Sequence, residues 1–268
     1  MCGCVQARST VTTQVTLAQL DNYGPWTVTP EPRREPDLQT LQARLYADLV
    51  QLVGAKDGYV FFGRFDNMVA ITNGLTRDDH QRIQSSIGNR YPVTVSFGIG
   101  TGDSPADALE TATDRLQQAG SAQDGDRTEI LDGTPLAEAD RTADDVRIAH
   151  FDVVDATGTY TDQLDAYETF LAIKRGIFAL EQYMYDRHGA LTFFVGGDNA
   201  ISVVPSLTDR EYEEAIAHVS NVADAELQVG VGSGATAVDA GMIAKHALEV
   251  CRENGTRIQR AGQPVPGD

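Results

Sequence analysis

The sequence predicts an α+β fold made by tandem duplication of one βαββαβ unit. Three observations lead there. Phe97-Gly98-Ile99-Gly100-Thr101-Gly102 recurs as Val229-Gly230-Val231-Gly232-Ser233-Gly234, a shift of 132 residues (98 to 230). The same shift carries Asp66-Asn67 onto Asp198-Asn199, Leu75-Thr76 onto Leu207-Thr208, Asp107-Ala108 onto Asp239-Ala240 and Leu116 onto Leu248. Within each copy, apolar runs and helical stripes alternate in the order β-α-β-β-α-β, the ferredoxin-like motif. A shift of 131 places Asp21 on Asp152 and Gly58 on Gly189, so one insertion is expected between the two blocks. Two copies are too few for a solenoid. The expected division is a leader over 1–13, a first repeat over 14–141, a second over 142–261 and a tail over 262–268.

The first repeat reads element by element. Val15 to Leu20 alternates as a strand. Asp37 to Val53 carries Leu38, Leu41, Leu45, Leu49 and Leu52 on one helical stripe. Tyr59 to Phe62 and Met68 to Ile71 flank a turn and read as a hairpin. Thr76 is the expected N-cap of a helix reaching Ile87. Val93 to Ile99 reads as a strand closed by glycines, and Ser104 to Gln118 as the last helix. The second repeat runs from Val146 to about Glu253, and 120–144 reads as a polar connection. The Gly98-x-Gly100 and Gly230-x-Gly232-x-Gly234 runs lack a full dinucleotide fingerprint and read as strand-end turns.

Composition narrows the function. The formal net charge is -18 and the pI about 4.5. Lysine occurs only at Lys56, Lys174 and Lys245, and arginine supplies the other cations. Such acidity keeps a protein soluble in a salt-rich cytoplasm. It opposes nucleic-acid binding, which needs a basic track. No apolar run approaches the roughly 20 residues of a membrane span. Residues 1–10 have no apolar signal core, so the cytoplasm is the expected location. Cys2, Cys4 and Cys251 form no metal or disulfide pattern and read as incidental thiols.

In the usual ferredoxin-like order, the end of strand 1 meets the hairpin between strands 2 and 3. Asp152 ends strand 1 of the second copy, and Asp198 lies in the hairpin Gly196-Gly197-Asp198-Asn199. Two sequence-distant carboxylates should converge there. Hard oxygen ligands in a partial cage suit Mg²⁺, which takes its remaining ligands from water and phosphates. Gly196 and Gly197 free the backbone to approach a nucleoside triphosphate. Asp155 is a further candidate ligand. The matching pair expected in the first copy is Asp21 with Asp66, where Arg64 and Phe65 replace the glycines. After Asp21 comes a rigid, Pro-punctuated loop carrying the only Trp, Trp26, in which Asn22, Gly24, Arg33 and Arg34 are candidate nucleotide-binding residues. The two arginines offer planar forks for phosphate. Asn67 and Asn199 complete the hairpins. His150 alternates onto the face of Asp152 and is the candidate general base.

These residues resemble a known family. Asp21-Asn22-Tyr23-Gly24-Pro25-Trp26-Thr27-Val28-Thr29-Pro30, followed by Pro32-Arg33-Arg34-Glu35, is similar to the N-terminal signature of archaeal GTP cyclohydrolase III. Arg64-Phe65-Asp66-Asn67, Ala70-Ile71-Thr72-Asn73-Gly74, Gly120-Ser121-Ala122-Gln123-Asp124, His150-Phe151-Asp152 and Gly196-Gly197-Asp198-Asn199 match as well. The resemblance covers roughly residues 14–260. It implies a fold like the palm of nucleotide cyclases and GGDEF proteins, and assembly as a homo-oligomer. It implies hydrolysis of GTP to 2-amino-5-formylamino-6-(5-phosphoribosylamino)pyrimidin-4(3H)-one. The C8–N9 bond opens, the formyl group stays and the β and γ phosphates leave as inorganic phosphate. It also implies Mg²⁺ dependence, stimulation by a monovalent cation such as K⁺, and a product destined for riboflavin and deazaflavin synthesis. Asn67, Gln123 and Asp124 are the candidates for reading guanine. A nucleotide cyclase or a non-catalytic GTP-binding regulator are the alternatives. GGDEF enzymes usually place an acid where Asn199 stands, which counts against the first, and acidic pairs in both copies count against the second.

Overall fold

The computed structural model describes residues 13–64, 66–142 and 145–260. The tail, the leader apart from Thr13, Cys2, Cys4 and Phe65 lie outside the described residues. The first copy comprises β1 (Thr13–Leu20), α1 (Tyr23–Val28), α2 (Glu35–Gly54), β2 (Tyr59–Arg64), β3 (Asn67–Ile71), α3 (Arg77–Gly88), β4 (Val95–Gly102), α4 (Pro105–Gln118) and β5 (Leu131–Asp132). The second comprises β6 (Val146–Val153), a π-helical turn (Thr157–Thr161), α5 (Ala166–His188), β7 (Leu191–Gly196), β8 (Asn199–Val203), α6 (Asp209–Ala223), β9 (Leu227–Gly234), α7 (Ala237–Asn254) and β10 (Ile258–Arg260). The sheets run β2-β3-β1-β4-β5 and β10-β9-β6-β8-β7. Each is the expected antiparallel ferredoxin-like sheet with one further edge strand, parallel to its neighbour. No helix among the described residues is long and apolar enough to cross a membrane.

Local chemistry sets the elements. Thr76 caps α3 and Thr208 caps α6 through full capping boxes with Asp79 and Glu211. Leu45, Leu49 and Val53 of α2 pack on Ala18, Leu20 and Phe97, covering one face of the first sheet. Ile177, Leu180 and Met184 of α5 do the same on Ala149, Phe151 and Val153. The opposite faces of both sheets share one core with α4 and α7, in which Val15, Leu17 and Ile71 meet Val146, Ile148 and Val203.

Contacts across that shared core obey a local twofold axis. The Val238 N–H donates to the Asp57 carbonyl at 3.0 Å, and its counterpart, the Ala106 N–H, donates to the Gly189 carbonyl at 2.9 Å. Phe61 and Phe193, also counterparts, stack with centroids 4.4 Å apart and planes 1° from parallel. The glycine runs are not turns, as their sequence suggested. Gly98 and Gly100 lie inside β4, and Gly230 and Gly232 inside β9. A Cβ at any of the four would overlap backbone carbonyls of Ala112, Ala108, Ala244 or Ala240. They bring α4 and α7 down onto the strands at backbone distance.

Strand register also corrects the correspondence between copies. Val15 pairs with Ile71 and Gly100, whereas Ile148 pairs with Val203 and Gly232. Strand β1 therefore maps onto β6 with a shift of 133 (15 to 148), not 131. The counterpart of Asp152 is Gln19, since each faces the hairpin asparagine, Asn67 or Asn199. Asp21 corresponds to Val154: their N–H groups donate to the matching carbonyls of Thr94 and Glu226. Asn22 and Asp155 correspond and both are left-handed, at φ 51° and 48°. Asp57, not Gly58, corresponds to Gly189, both with φ 60°. Aspartate and glycine are common wherever a chain turns, so residue type alone does not set the register at these two places.

Candidate functional site

The C-terminal end of β6 opens into a cavity of about 400 Å³. Its walls are Asp152 to Thr157, Asp198, Gln228, Arg252 and Gly255. Three expected metal ligands, Asp152, Asp155 and Asp198, thus share one space. Pairing of Asp152 with Asn199 and a 3.2 Å bond from the Val153 N–H to the Asp198 carbonyl fix the strand end against the hairpin. Asp152 is buried, 4 % exposed. Its Oδ2 accepts from Gln228 Nε2 at 2.8 Å, and its Oδ1 meets Arg252 Nη2 at 2.7 Å. Burial, and next the negative charge of Asp152, push the Asp198 carboxyl above the usual carboxylate range.

Gly196 and Gly197 have φ of 113° and 61°; the first is a conformation that glycine alone adopts readily. The space beside Gly196 is open, so its backbone is free to face a ligand. Asn199 bridges inward: Nδ2 donates to Asp198 Oδ1 at 2.7 Å and Oδ1 lies 3.0 Å from His150 Nε2. Burial lowers the His150 pKa below its ordinary value, so the ring is neutral near pH 7. His150 Nε2 is committed to Asn199, and the ring is not part of the cavity lining. The general-base role expected for it has no geometric support.

Among the described residues, no group of three or more His, Cys, Asp or Glu side chains is gathered closely enough to hold a metal ion by itself. The carboxylates lining this cavity are those of Asp152, Asp198 and Asp155. They fit a hard cation that takes its other ligands from water and a phosphate chain.

The first copy is built differently. Gln19 stands where Asp152 does and donates to Asn67 Oδ1 at 2.8 Å. Asp66 binds Arg64 at 3.1 Å and Asn67 at 3.0 Å. Asp21 is 4 % exposed and saturated by the protein. Ser96 donates to its Oδ1 at 2.5 Å, and Thr94 and the Glu129 N–H donate to Oδ2 at 2.8 and 2.9 Å. Arg127, its side chain only 3 % exposed, lies 3.8 Å from Oδ1. The expected Asp21–Asp66 metal pair is therefore not an open site. The position equivalent to Asp152 is Gln19, and Asp21 holds the 120–130 segment over the strand end.

The distinctive N-terminal loop is likewise occupied locally. It contains the short helix α1, whose Trp26 stacks near Tyr23 and receives the Arg33 guanidinium 3.8 Å above its ring. Arg34 makes a two-pronged pair with Asp37 at 2.9 and 2.8 Å. The Asn22 N–H donates to the Ala122 carbonyl, and Gln123 lies against Gly24, where any Cβ would collide with it. None of Asn22, Gly24, Arg33, Arg34, Gln123 or Asp124 lines the β6 cavity. Sequence reasoning missed Arg252 and Gln228. Arg252 could have been noticed as the residue standing where the 132-residue shift leaves Gly120 in the first copy. A second cavity of about 420 Å³, bounded by Tyr46, Phe62, Phe194 and Val195, is apolar and offers no charged group for a phosphate.

Residues 15–261 match the family described as GTP cyclohydrolase III. GTP cyclohydrolase III 1 of Halobacterium salinarum is 65 % identical over 94 % of this chain and 98 % of its own length. GTP cyclohydrolase III of Natronomonas pharaonis is 62 % identical over 93 % of this chain and 98 % of its own. Among solved structures, the GGDEF domain of DgcB from Caulobacter crescentus aligns with 44 % of this chain and 78 % of its own, at 14 % identity and a TM-score of 0.38.

Proposed function

The chain belongs to the GTP cyclohydrolase III family, and from that membership we propose that the cavity at the end of β6 is where it binds GTP with Mg²⁺. It is an enzyme that hydrolyses GTP to 2-amino-5-formylamino-6-(5-phosphoribosylamino)pyrimidin-4(3H)-one and releases phosphate. The observation that carries the placement is the pairing of Asp152 and Asp198, 46 residues apart in sequence (152 to 198), on one wall with Asp155 beside them. Bound Mg²⁺ would supply charge neutralisation of the triphosphate and an activated water.

The residues of the chain do the rest. Asp152 and Asp198 would hold the hard cation, and the open glycine hairpin would let phosphate oxygens approach backbone. Asn199 and His150 keep the Asp198 carboxylate turned inward. Gln228 fixes the second oxygen of Asp152. Positioning and electrostatics account for most of phosphoryl-transfer catalysis, so rigid acids on a sheet edge suit it. We assign a stimulatory K⁺, a cytoplasmic location and a product entering riboflavin and deazaflavin synthesis on the same family basis; the acidic composition supports a salty cytoplasm. We also propose assembly with further copies, supported by the exposed apolar stripe Tyr167, Phe170, Leu171, Phe178 and Tyr185 on α5.

Mass spectrometry of the products of GTP, with and without Mg²⁺, tests the whole. Opened ring with formyl retained is expected, only with metal and only while Asp152 and Asp198 are intact. A cyclic nucleotide, or intact GTP after long incubation, would refute it.

A further inference from the structure

We propose that Arg252 keeps the metal's seat in the substrate-free protein and moves to the phosphates when the nucleotide arrives with its cation. This rests on placing the metal at Asp152 and Asp198. The pair is two-pronged: Arg252 Nη2 lies 2.7 Å from Asp152 Oδ1, and Nε lies 3.3 Å from Oδ2. Its partners differ in freedom. The Asp152 side chain is 6 % exposed, whereas that of Arg252 is 38 % exposed. The acid is fixed in the sheet, and the cation sits at the end of a long side chain on the cavity wall.

Three further observations favour exchange over a purely structural bond. Arg252 also holds Glu249 through Nη1 at 2.6 Å, so release from Asp152 leaves it tethered beside the cavity. One guanidinium serves two acids there: it holds Asp152 and shares the cavity wall with Asp198. In the first copy both partners are missing together, with Gln19 at the place of Asp152 and Gly120 at that of Arg252. There Asp21 is instead held by buried Arg127 and three hydrogen-bond donors, an arrangement with no movable cation.

Swapping Arg252 for the metal leaves the buried Asp152 carboxylate beside a cation in both states. The freed planar fork suits phosphate oxygens. The consequence is coupling: metal alone must displace Arg252, while metal with a triphosphate gives Arg252 a new partner. Metal and nucleotide should therefore each tighten the other's binding.

Titration of the full chain with Mn²⁺, followed by electron paramagnetic resonance of the free ion, tests this without turnover. Native protein, Arg252→Gln, Arg252→Lys and Asp152→Asn are compared, each with and without a non-hydrolysable GTP analogue, with folding checked by circular dichroism. Without analogue, Arg252→Gln should bind Mn²⁺ about tenfold or more tightly than native protein, the scale of losing one charge-assisted bond. Arg252→Lys, which keeps the charge, should stay near native. The analogue should raise Mn²⁺ affinity strongly in native protein and far less in Arg252→Gln. Equal Mn²⁺ affinity of native and Arg252→Gln proteins, with analogue-dependent binding still lost in Asp152→Asn, would overturn the exchange and spare the site. Analogue-dependent Mn²⁺ binding that survives in Asp152→Asn would overturn the site itself.

Discussion

Replacing Asp21 or Asp152 by asparagine should separate a structural acid from a functional one. Asp21→Asn turns one of two saturated oxygens into an NH₂ group facing donors. Either the Ser96 bond or the Thr94 and Glu129 bonds are lost. Arg127, 3 % exposed and already depressed in pKa by burial, loses its counter-charge. Breaking a buried pair in this way costs about 3–5 kcal/mol. Asp152→Asn leaves Arg252, whose side chain is 38 % exposed, free to turn to water, so the cost falls to about 1 kcal/mol or less. For a chain of this size each kcal/mol moves the Tm by about 2–4 °C. Asp21→Asn should therefore lose roughly 6–20 °C, and Asp152→Asn no more than about 4 °C. Thermal unfolding followed by circular dichroism, beside Mg²⁺-dependent GTP turnover, reads both quantities. Turnover should disappear in Asp152→Asn, and folded Asp21→Asn should keep it. An Asp21→Asn protein that is fully stable yet inactive, or an active Asp152→Asn protein, would refute the assignment of chemistry to the second copy.

The Asp198 carboxyl has a raised pKa in the folded protein. An acid so shifted favours folding only below its unfolded pKa, near 4, and that contribution is lost as pH rises through the folded value. Near pH 7 the substrate-free protein carries this penalty, so Asp198→Asn should raise its Tm there and lose the advantage below about pH 4; a lower Tm at pH 7 would contradict the sign. A cycle of Phe61→Leu, Phe193→Leu and the double variant should show a coupling of about 0.5–1.5 kcal/mol from the stacked rings. Strict additivity in urea unfolding would mean the stack contributes nothing between the copies. Gly232→Ala, which drives a Cβ into the backbone of α7, should cost about 1–3 kcal/mol or more. A native-like urea midpoint would show that α7 can retreat from the strand without loss.

Much of the fold was legible because it is written locally. The stripe on α2, the cap at Thr76 and the apolar runs around Asp66-Asn67 each announce an element through spacing or a cap. The convergence of Asp152 on Asp198 followed from topology alone. What stayed hidden depends on partners far along the chain. Strands β5 and β10, of two and three residues, are too short to show alternation and exist because β4 and β9 offer a free edge. Helix α1 was masked by Gly24 and Pro25, although a proline in the first turn of a helix gives up no bond. Gly232 looks the same in a sequence whether it makes a turn or admits a helix. Arg252 looks like any basic residue in a helix's last turn until the fold brings it across 100 residues to Asp152.

The reciprocal bonds between Asp57 and Val238 and between Gly189 and Ala106 describe a homodimer whose two subunits have been joined end to end. Covalent joining fixes the effective concentration of each half for the other, whatever the dilution of the protein. Symmetry is then no longer enforced by genetics, because a change in one half is not repeated in its mate. One half carries Gln19 where the other carries Asp152, and uses its buried Arg127 on the loop beside Asp21, while still presenting the surface on which its mate packs.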